Sequence, residues 1–223
     1  MTTGGNTHTT SFVDDFMFLP SEEEEGATSS LTKLQEELVY AIETHNTGFF
    51  KDLGGITTAD LNFECQEDGM VPLMIAAAKG SASFIQLMLQ NPSIDINKTD
   101  NFGVNSFWVA AYYGNAAAMA VLAEAGIDTL SANENGTNAL HLAAKSDYRQ
   151  ITKLLLQSQY PLDIQKTNGT TALGIALSQQ NREIVEMLVD AGADLDLVGG
   201  SGVCPLNLCI KSGNMDNLRY LLS

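Results

Sequence analysis

Basic side chains are scarce in this sequence: 11 Lys and Arg stand against 27 Asp and Glu, for a formal net charge of −16 over 223 residues. A field of that sign repels phosphate backbones and anionic membranes, which argues against nucleic acid as a ligand and favours basic protein partners. Cysteine is rarer still. Cys65, Cys204 and Cys209 are odd in number and lack paired spacing, which speaks against a disulfide framework and for a reducing, cytoplasmic setting. No apolar run approaches the ~18 residues that a membrane helix requires. The opening MTTGGNTHTTSF has neither a basic start nor an apolar core, so it does not read as a secretory signal.

Chemical motifs are equally thin. There is no glycine-rich phosphate loop ending in Lys-Ser or Lys-Thr, no H-E-x-x-H and no C-x-x-C pair. The carboxylates are scattered, with no pair spaced for acid–base work. His8 and His45 have no partner in sequence, and Cys209 falls at a small-residue packing place. These absences predict no catalytic residues, no metal site and no cofactor. The chain reads as non-enzymatic.

What the sequence does have is a period. The stretch GTNALHLAA (136–144) has near-copies in GMVPLMIAA (69–77), GVNSFWVAA (103–111), GTTALGIAL (169–177) and GVCPLNLCI (202–210). Their leading glycines, Gly69, Gly103, Gly136, Gly169 and Gly202, stand 34, 33, 33 and 33 residues apart. Two residues past the glycine stands Asn105, Asn138 or Thr171 in three units, each able to accept a hydrogen bond from the first turn of a helix. The other two have Val71-Pro72 and Cys204-Pro205, where proline at the first helical position needs no donor. Small pairs follow (Ala76 with Ala77, Ala110 with Ala111, Ala143 with Ala144) and let helices approach closely. Gly126 and Gly192 fall where second helices close in left-handed backbone.

A 33-residue unit of β-turn and two helices with a T-P-L-H-x-A phrase resembles the ankyrin repeat family, over roughly residues 31–223. The resemblance implies an all-α repeat solenoid: helix-turn-helix pairs with β-turn tips, about five of them, behind a degenerate N-terminal cap. Each unit then hides its apolar face against its neighbours. The expected division is a disordered acidic tail (1–30), a cap (31–65) and repeats 66–98, 100–132, 133–165, 166–198 and 199–223. In the cap, a helix over 31–46 is predicted with Ser29 or Ser30 as its cap, followed by a short helix around Phe49, Phe50 and Leu53. TADLNF (58–63) matches the later GADLD phrase, with Asp60 at the aspartate place. From the closing aspartate to the next glycine is 8 residues for Asp95, Asp128 and Asp194 but 6 for Asp163. That count predicts a longer helix exit through Tyr160 and Pro161, and a notch in the row of tips. The final helix exposes Leu218, Leu221 and Leu222, so a further repeat, domain or partner is expected beyond it.

The tail holds Asp14, Asp15 and Glu22–Glu25 with no basic residue, a charge of −6 out of the total. Its phrase SFVDDFMFLP (11–20) packs Phe12, Val13, Phe16, Met17, Phe18 and Leu19 around two aspartates. It reads either as a docking segment, for a partner or for the repeat array, or as a mobile tail.

In the family, partners are held by the turn tips and inner helices. Transferred by position, those places are Asn101, Phe102, Val104, Tyr112 and Tyr113, with Trp108 at the histidine place beside them. Glu67, Asp68 and Met70 flank them on one side. Glu134, Asn135, Thr137 and Lys145 flank them on the other, ahead of a polar strip of Thr167, Asn168, Thr170 and Gln179. His141 stands where the family has histidine, and the resemblance implies that its ring bonds nearby backbone and steadies the turn. Trp108 departs from that pattern, which puts the bond in question in its own unit. The expectation is a protein-binding scaffold or adaptor whose partner has a basic end and an apolar anchor. The alternative is the regulatory or targeting N-terminal region of a larger protein, such as a kinase, channel or assembly subunit.

Overall fold

The computed structural model describes residues 32–46, 48, 61–65, 67–199 and 202–222. The tail 1–30, the expected helix around Phe49, Phe50 and Leu53, and Asp60 lie outside them. Among the described residues there are eleven helices and no strands, only an isolated antiparallel bridge between Ala132 and Asn138. None of these helices is long and apolar enough to cross a membrane.

The first helix, α1 (Lys33–Glu43), is shorter than the 31–46 expected. Its cap is Thr32 rather than Ser29 or Ser30. The Thr32 hydroxyl accepts from Gln35 N, and the Gln35 side chain accepts from Thr32 N, a reciprocal capping box. Five helix pairs follow: α2 (Pro72–Ala78) with α3 (Ala82–Met88), α4 (Ser106–Tyr112) with α5 (Ala116–Glu124), α6 (Ala139–Lys145) with α7 (Arg149–Gln157), α8 (Ala172–Gln179) with α9 (Arg182–Asp190), and α10 (Pro205–Ser212) with α11 (Met215–Leu221). The inner helices α1, α2, α4, α6, α8 and α10 pack in a row, and the outer helices α3, α5, α7, α9 and α11 pack in a second row behind them.

The start signals act as their chemistry requires. Asn105 and Asn138 each accept from two backbone N–H groups of the first turn, and Thr171 accepts from Gly174 N. Pro72 and Pro205 open α2 and α10 with no side-chain cap. Before each start the chain makes a tight hairpin. Its glycine sits in left-handed backbone, with φ +82° at Gly69, +76° at Gly103 and +71° at Gly136, where a side chain would be strained. In the second and third hairpins an Asp100 or Asn133 carboxylate or amide oxygen accepts two N–H groups across the turn, from Phe102 and Val104 or from Asn135 and Thr137.

The core lies between the two rows. Ala76, Ala77, Ala110, Ala111, Ala143, Ala144 and Ala176 are fully enclosed, and Phe84, Met88, Met119, Leu122, Leu155 and Leu188 of the outer helices fill the space against them. Methyl-sized side chains at these inner places let the helix backbones come close, and large buried groups from both rows, Leu73, Phe107 and Leu140 among the inner ones, supply the apolar area. Cys209 sits fully buried at the same small place in α10, and Cys65 has its thiol pushed up to about 12 by burial, with Asp68 and Glu43 adding to the shift.

Two devices tie unit to unit at the bend between the helices of a pair. The Asn115 amide donates to the carbonyls of Ala77 and Ala78, both at 2.8 Å, and the Asn181 amide donates to Ala144 O at 2.8 Å. At the equivalent place in the first pair, Ser81 Oγ meets His45 Nδ1 at 2.5 Å, so His45 does have a partner.

The expected notch does not form. Gly126, Gln159 and Gly192 are all left-handed, 33 residues apart, and Ile127, Tyr160 and Ala193 after them are all buried. The 33-residue register is therefore unbroken, α7 is no longer than α5 or α9, and it is Pro161 that stands at the aspartate place. Its neighbours explain why proline is tolerated. Asp128 N donates to Asn97 Oδ1 and Asp194 N donates to Asp163 Oδ1, each from one unit to the unit before. Pro161 has no N–H to give. The residue one unit earlier at the receiving place is Leu130, whose side chain has no acceptor.

Candidate interaction face

Three aromatic rings and two carboxylates gather where the tips of the first two pairs meet the end of α4. Helical spacing places Trp108 and Tyr112 four apart on one side of α4, and their rings stack with centroids 5.5 Å apart and planes 8° from parallel. Tyr113, the residue that closes α4, meets Tyr112 edge-on at 5.1 Å and 83°. Offset stacking and edge contact are the arrangements aromatic quadrupoles favour. Tyr113 and Phe102 remain exposed at 38% and 44%, large for aromatic residues beside a packed core. Tyr112 is half-buried between Trp108 and Tyr113. Burial raises both tyrosine hydroxyl pKa values; Tyr148 contributes at Tyr112, and Tyr112 and Asp68 contribute at Tyr113. Tyr148, which the sequence pattern did not single out, leans over Gly114 from the next pair. An added Cβ at Gly114 would come within 2.9 Å of its ring.

The carboxylates sit one tip apart. Asp68 Oδ1 accepts from Met70 N, and Asp100 Oδ1 bridges the second hairpin. Burial raises the Asp100 pKa, its turn N–H groups oppose the shift, and the nearby Asp68 adds to it. Two acids and two phenols thus share one corner of the surface, with exposed Glu67 beside them.

The remaining positions singled out from sequence divide by burial. Val104 is 2% exposed and Trp108 7%, so both fill space between units beneath the face rather than on it. Thr137 is likewise buried. Asn101 is exposed but already employed: its N–H donates to Asp68 O and its side-chain amide to Glu67 O, locking the second tip to the first. Met70 is half-buried against the core. Asn135 is half-buried, and its carbonyl receives both Thr167 N and Thr167 Oγ1. Lys145 ends α6 and lies away from the aromatic corner, at the rim of a separate cleft with Lys166, Asn168 and Gln179.

His141 behaves as a joint. Its Nδ1 accepts from Asn138 N within its own unit, and its Nε2–H donates to Thr170 O of the next, so the Nε2-protonated tautomer satisfies both bonds. Burial lowers its pKa to about 4 and Lys166 adds to the lowering, while its bonds to backbone pull the other way. A ring that is neutral, enclosed and doubly bonded has no free lone pair for a metal, and no group of His, Cys, Asp and Glu able to hold a metal ion occurs among the described residues. Trp108 shares half of this task. Its Nε1–H donates to Thr137 O at 2.7 Å, the same bond to the next hairpin. Indole has no acceptor for Asn105 N, and Ser131 Oγ accepts that N–H instead, at 3.1 Å.

The described geometry is one of helix pairs, hairpin tips and side-chain joints, with tip glycines 33 or 34 residues apart. The family described as "Ankyrin repeats (3 copies)" matches three overlapping stretches, residues 38–132, 73–165 and 140–223. With those matches running together from Leu38 to the last residue, the chain belongs to the ankyrin repeat family.

Proposed function

We propose that this chain is a non-enzymatic scaffold or adaptor that holds a protein partner on the corner formed by Phe102, Tyr112 and Tyr113, with Asp68 and Asp100 beside them. Ankyrin repeats generally mediate protein–protein interaction. The observation that carries the choice of place is the exposure of Phe102 and Tyr113 next to partly buried acids. Partly exposed aromatic side chains on a rigid support are typical binding anchors, each worth about 2 kcal/mol or more when truncated. The acids favour a partner segment with a basic end, and the rings favour an apolar anchor beside it. Val104 and Trp108 support this corner from below, while Asn101, Met70 and Asn135 hold its edges. The free state of Cys65, Cys204 and Cys209 suits a reducing, cytoplasmic setting.

The test is recovery of partners from an extract by the intact chain and by a Phe102→Ala/Tyr113→Ala variant. Loss of a partner with unchanged helical content supports the face. Unchanged recovery removes it.

A second reading is favoured by Ile210, Met215 and Leu222, which are 61%, 53% and 69% exposed on the last helix pair. An apolar surface there suits packing against a further domain or subunit, as in a regulatory region of a larger assembly. A native mass well above 23.9 kDa supports it, and a lone chain of that mass rejects it.

A further inference from the structure

Five residues past each tip glycine, successive units carry Met74, Trp108, His141, Gly174 and Asn207. Trp108 and His141 fill the space beside their inner helices and donate to the hairpin carbonyl that lies 29 residues on. Gly174 has no side chain to do either. A Cβ there would already touch Leu208 at 3.8 Å, but no side chain at position 174 extends toward Val203, and Gly174 and Val203 both line a cleft. The cleft, of about 360 Å³, lies between α8 and the fifth hairpin, with an apolar floor that includes Ile175, Leu197, Val203 and Leu208. That volume lies within the range of pockets that receive a ligand or an anchoring side chain.

The rim is the reverse of the aromatic corner in charge. Lys145 and Lys166 line the cleft and, among the described residues, no carboxylate does, in a chain whose basic residues are outnumbered 27 to 11. An occupant that fits has large apolar side chains for the floor and carboxylates for the lysines. Residues 11–25 have that composition, with Phe12, Phe16, Phe18 and Leu19 interleaved with and followed by Asp14, Asp15 and Glu22–Glu25, and no basic residue. Such a segment is repelled by the Asp68 and Asp100 corner and attracted here. The reach is sufficient. Inner helices packed about 10 Å apart put α8 roughly 40 Å from α1, and an extended chain from Phe16 to Thr32 spans roughly 50 Å.

We propose that the cleft beside Gly174 is the docking site for the chain's own apolar-acidic segment, residues 11–20, held by Lys145 and Lys166. The phenylalanines enter the place where the two preceding units have their own indole and imidazole, Asp14 and Asp15 meet the lysine rim, and Glu22–Glu25 fall on the stretch leading back to α1.

Limited chymotrypsin digestion of the full chain tests this, with cleavage at Phe12, Phe16 and Phe18 followed by mass spectrometry. Each rate is compared with that of the synthetic peptide of the same tail sequence. Docking predicts cleavage about fivefold slower in the wild type than in Lys145→Glu/Lys166→Glu or Gly174→Leu. Asp14→Lys/Asp15→Lys, which leaves the repeats untouched, should speed cleavage alone and restore protection when combined with the lysine reversal. That charge-swap rescue distinguishes docking from a loosened fold, and circular dichroism of each variant checks the fold directly. Equal rates in the wild type, the Gly174→Leu variant and the tail variant overturn the proposal. Protection that grows with protein concentration also overturns it, because the segment would then be seated in a second copy.

Discussion

Trp108 and Gly174 occupy the same place in two units of one chain, and the molecule differs most where they differ. Around Trp108 the joint is closed: the ring is almost fully enclosed, donates to the next hairpin and stacks on Tyr112. Around Gly174 the joint is open, and a cleft runs between neighbouring units. Both positions have the same helix around them and the same hairpin ahead. A repeat array can therefore keep its backbone register while one side chain per unit decides whether a junction is cement or cavity. In an array where each unit contacts only its neighbours, that choice sets local stability junction by junction.

The largest effect is expected at the closed joint. Trp108→Ala should cost about 3–5 kcal/mol, as large-to-small changes at buried aromatic sites do, with the Thr137 carbonyl also losing its donor. Urea unfolding measures it, and a loss below about 1 kcal/mol would show that the second junction does not depend on the ring.

The next joint makes the comparison pH-dependent. His141 titrates near 4 when folded against an ordinary 6.5, so as pH falls the unfolded chain takes up its proton first. Stability contributed by the neutral ring is complete above about pH 6.5, declines through the interval and is lost by about pH 4. The total is about 3 kcal/mol. His141→Trp, copying the preceding unit, should remove this part of the acid sensitivity. Denaturation midpoints at several pH values for both proteins decide the matter.

A smaller effect separates what indole and imidazole do. Ser131→Ala leaves Asn105 N without its acceptor and should cost about 1–2 kcal/mol. In a Trp108→His background the imidazole Nδ1 can take over that N–H, so the same substitution should cost less. A double-mutant cycle showing no coupling would refute the division of labour.

At the open joint the sign reverses. Gly174 lies in a helix, and an added Cβ there meets nothing closer than 3.5 Å. Gly174→Ala should stabilise by about 0.5–1 kcal/mol, since glycine is a poor helix former and alanine fits. A destabilised variant would mean that the cleft is tighter than its contacts indicate.

The repeat period, and the starts and caps of the inner helices in the five repeats, were legible from residues alone, because they depend on local chemistry; α1 was placed, but its cap, Thr32, was not. Asn105, Asn138 and Thr171 cap the helix immediately C-terminal to them, Pro72 and Pro205 can only open a helix, and the tip glycines take a left-handed backbone that other residues resist. The role of His141 was legible only through family resemblance. The candidate face was half legible. Phe102 and Tyr113 stand out in the sequence as aromatic groups near polar tips, but whether a ring lies on the surface or under it depends on the neighbouring unit. Val104 and Trp108 are hidden for that reason. Tyr148 escapes a reading by sequence because it joins the aromatic corner from the next pair, and the only hint is its equivalence to Asn115 and Asn181. The short step from Asp163 to Gly169 hides an unbroken register, because Pro161 holds the aspartate place and only the shared left-handed backbone of Gly126, Gln159 and Gly192 reveals it.

Sequence by itself determined that this chain is a row of like helical pairs, since turn glycines, caps and apolar period act within a few residues of each other. Only the tertiary structure decided how the pairs join: that Ser131 stands in for a missing imidazole nitrogen, that Leu130 takes the acceptor place in the unit before Pro161, and that Gly174 lines a lysine-rimmed cleft. Those contacts bridge residues that lie roughly one repeat apart in sequence, and their outcome depends on which side chain arrives from the other side.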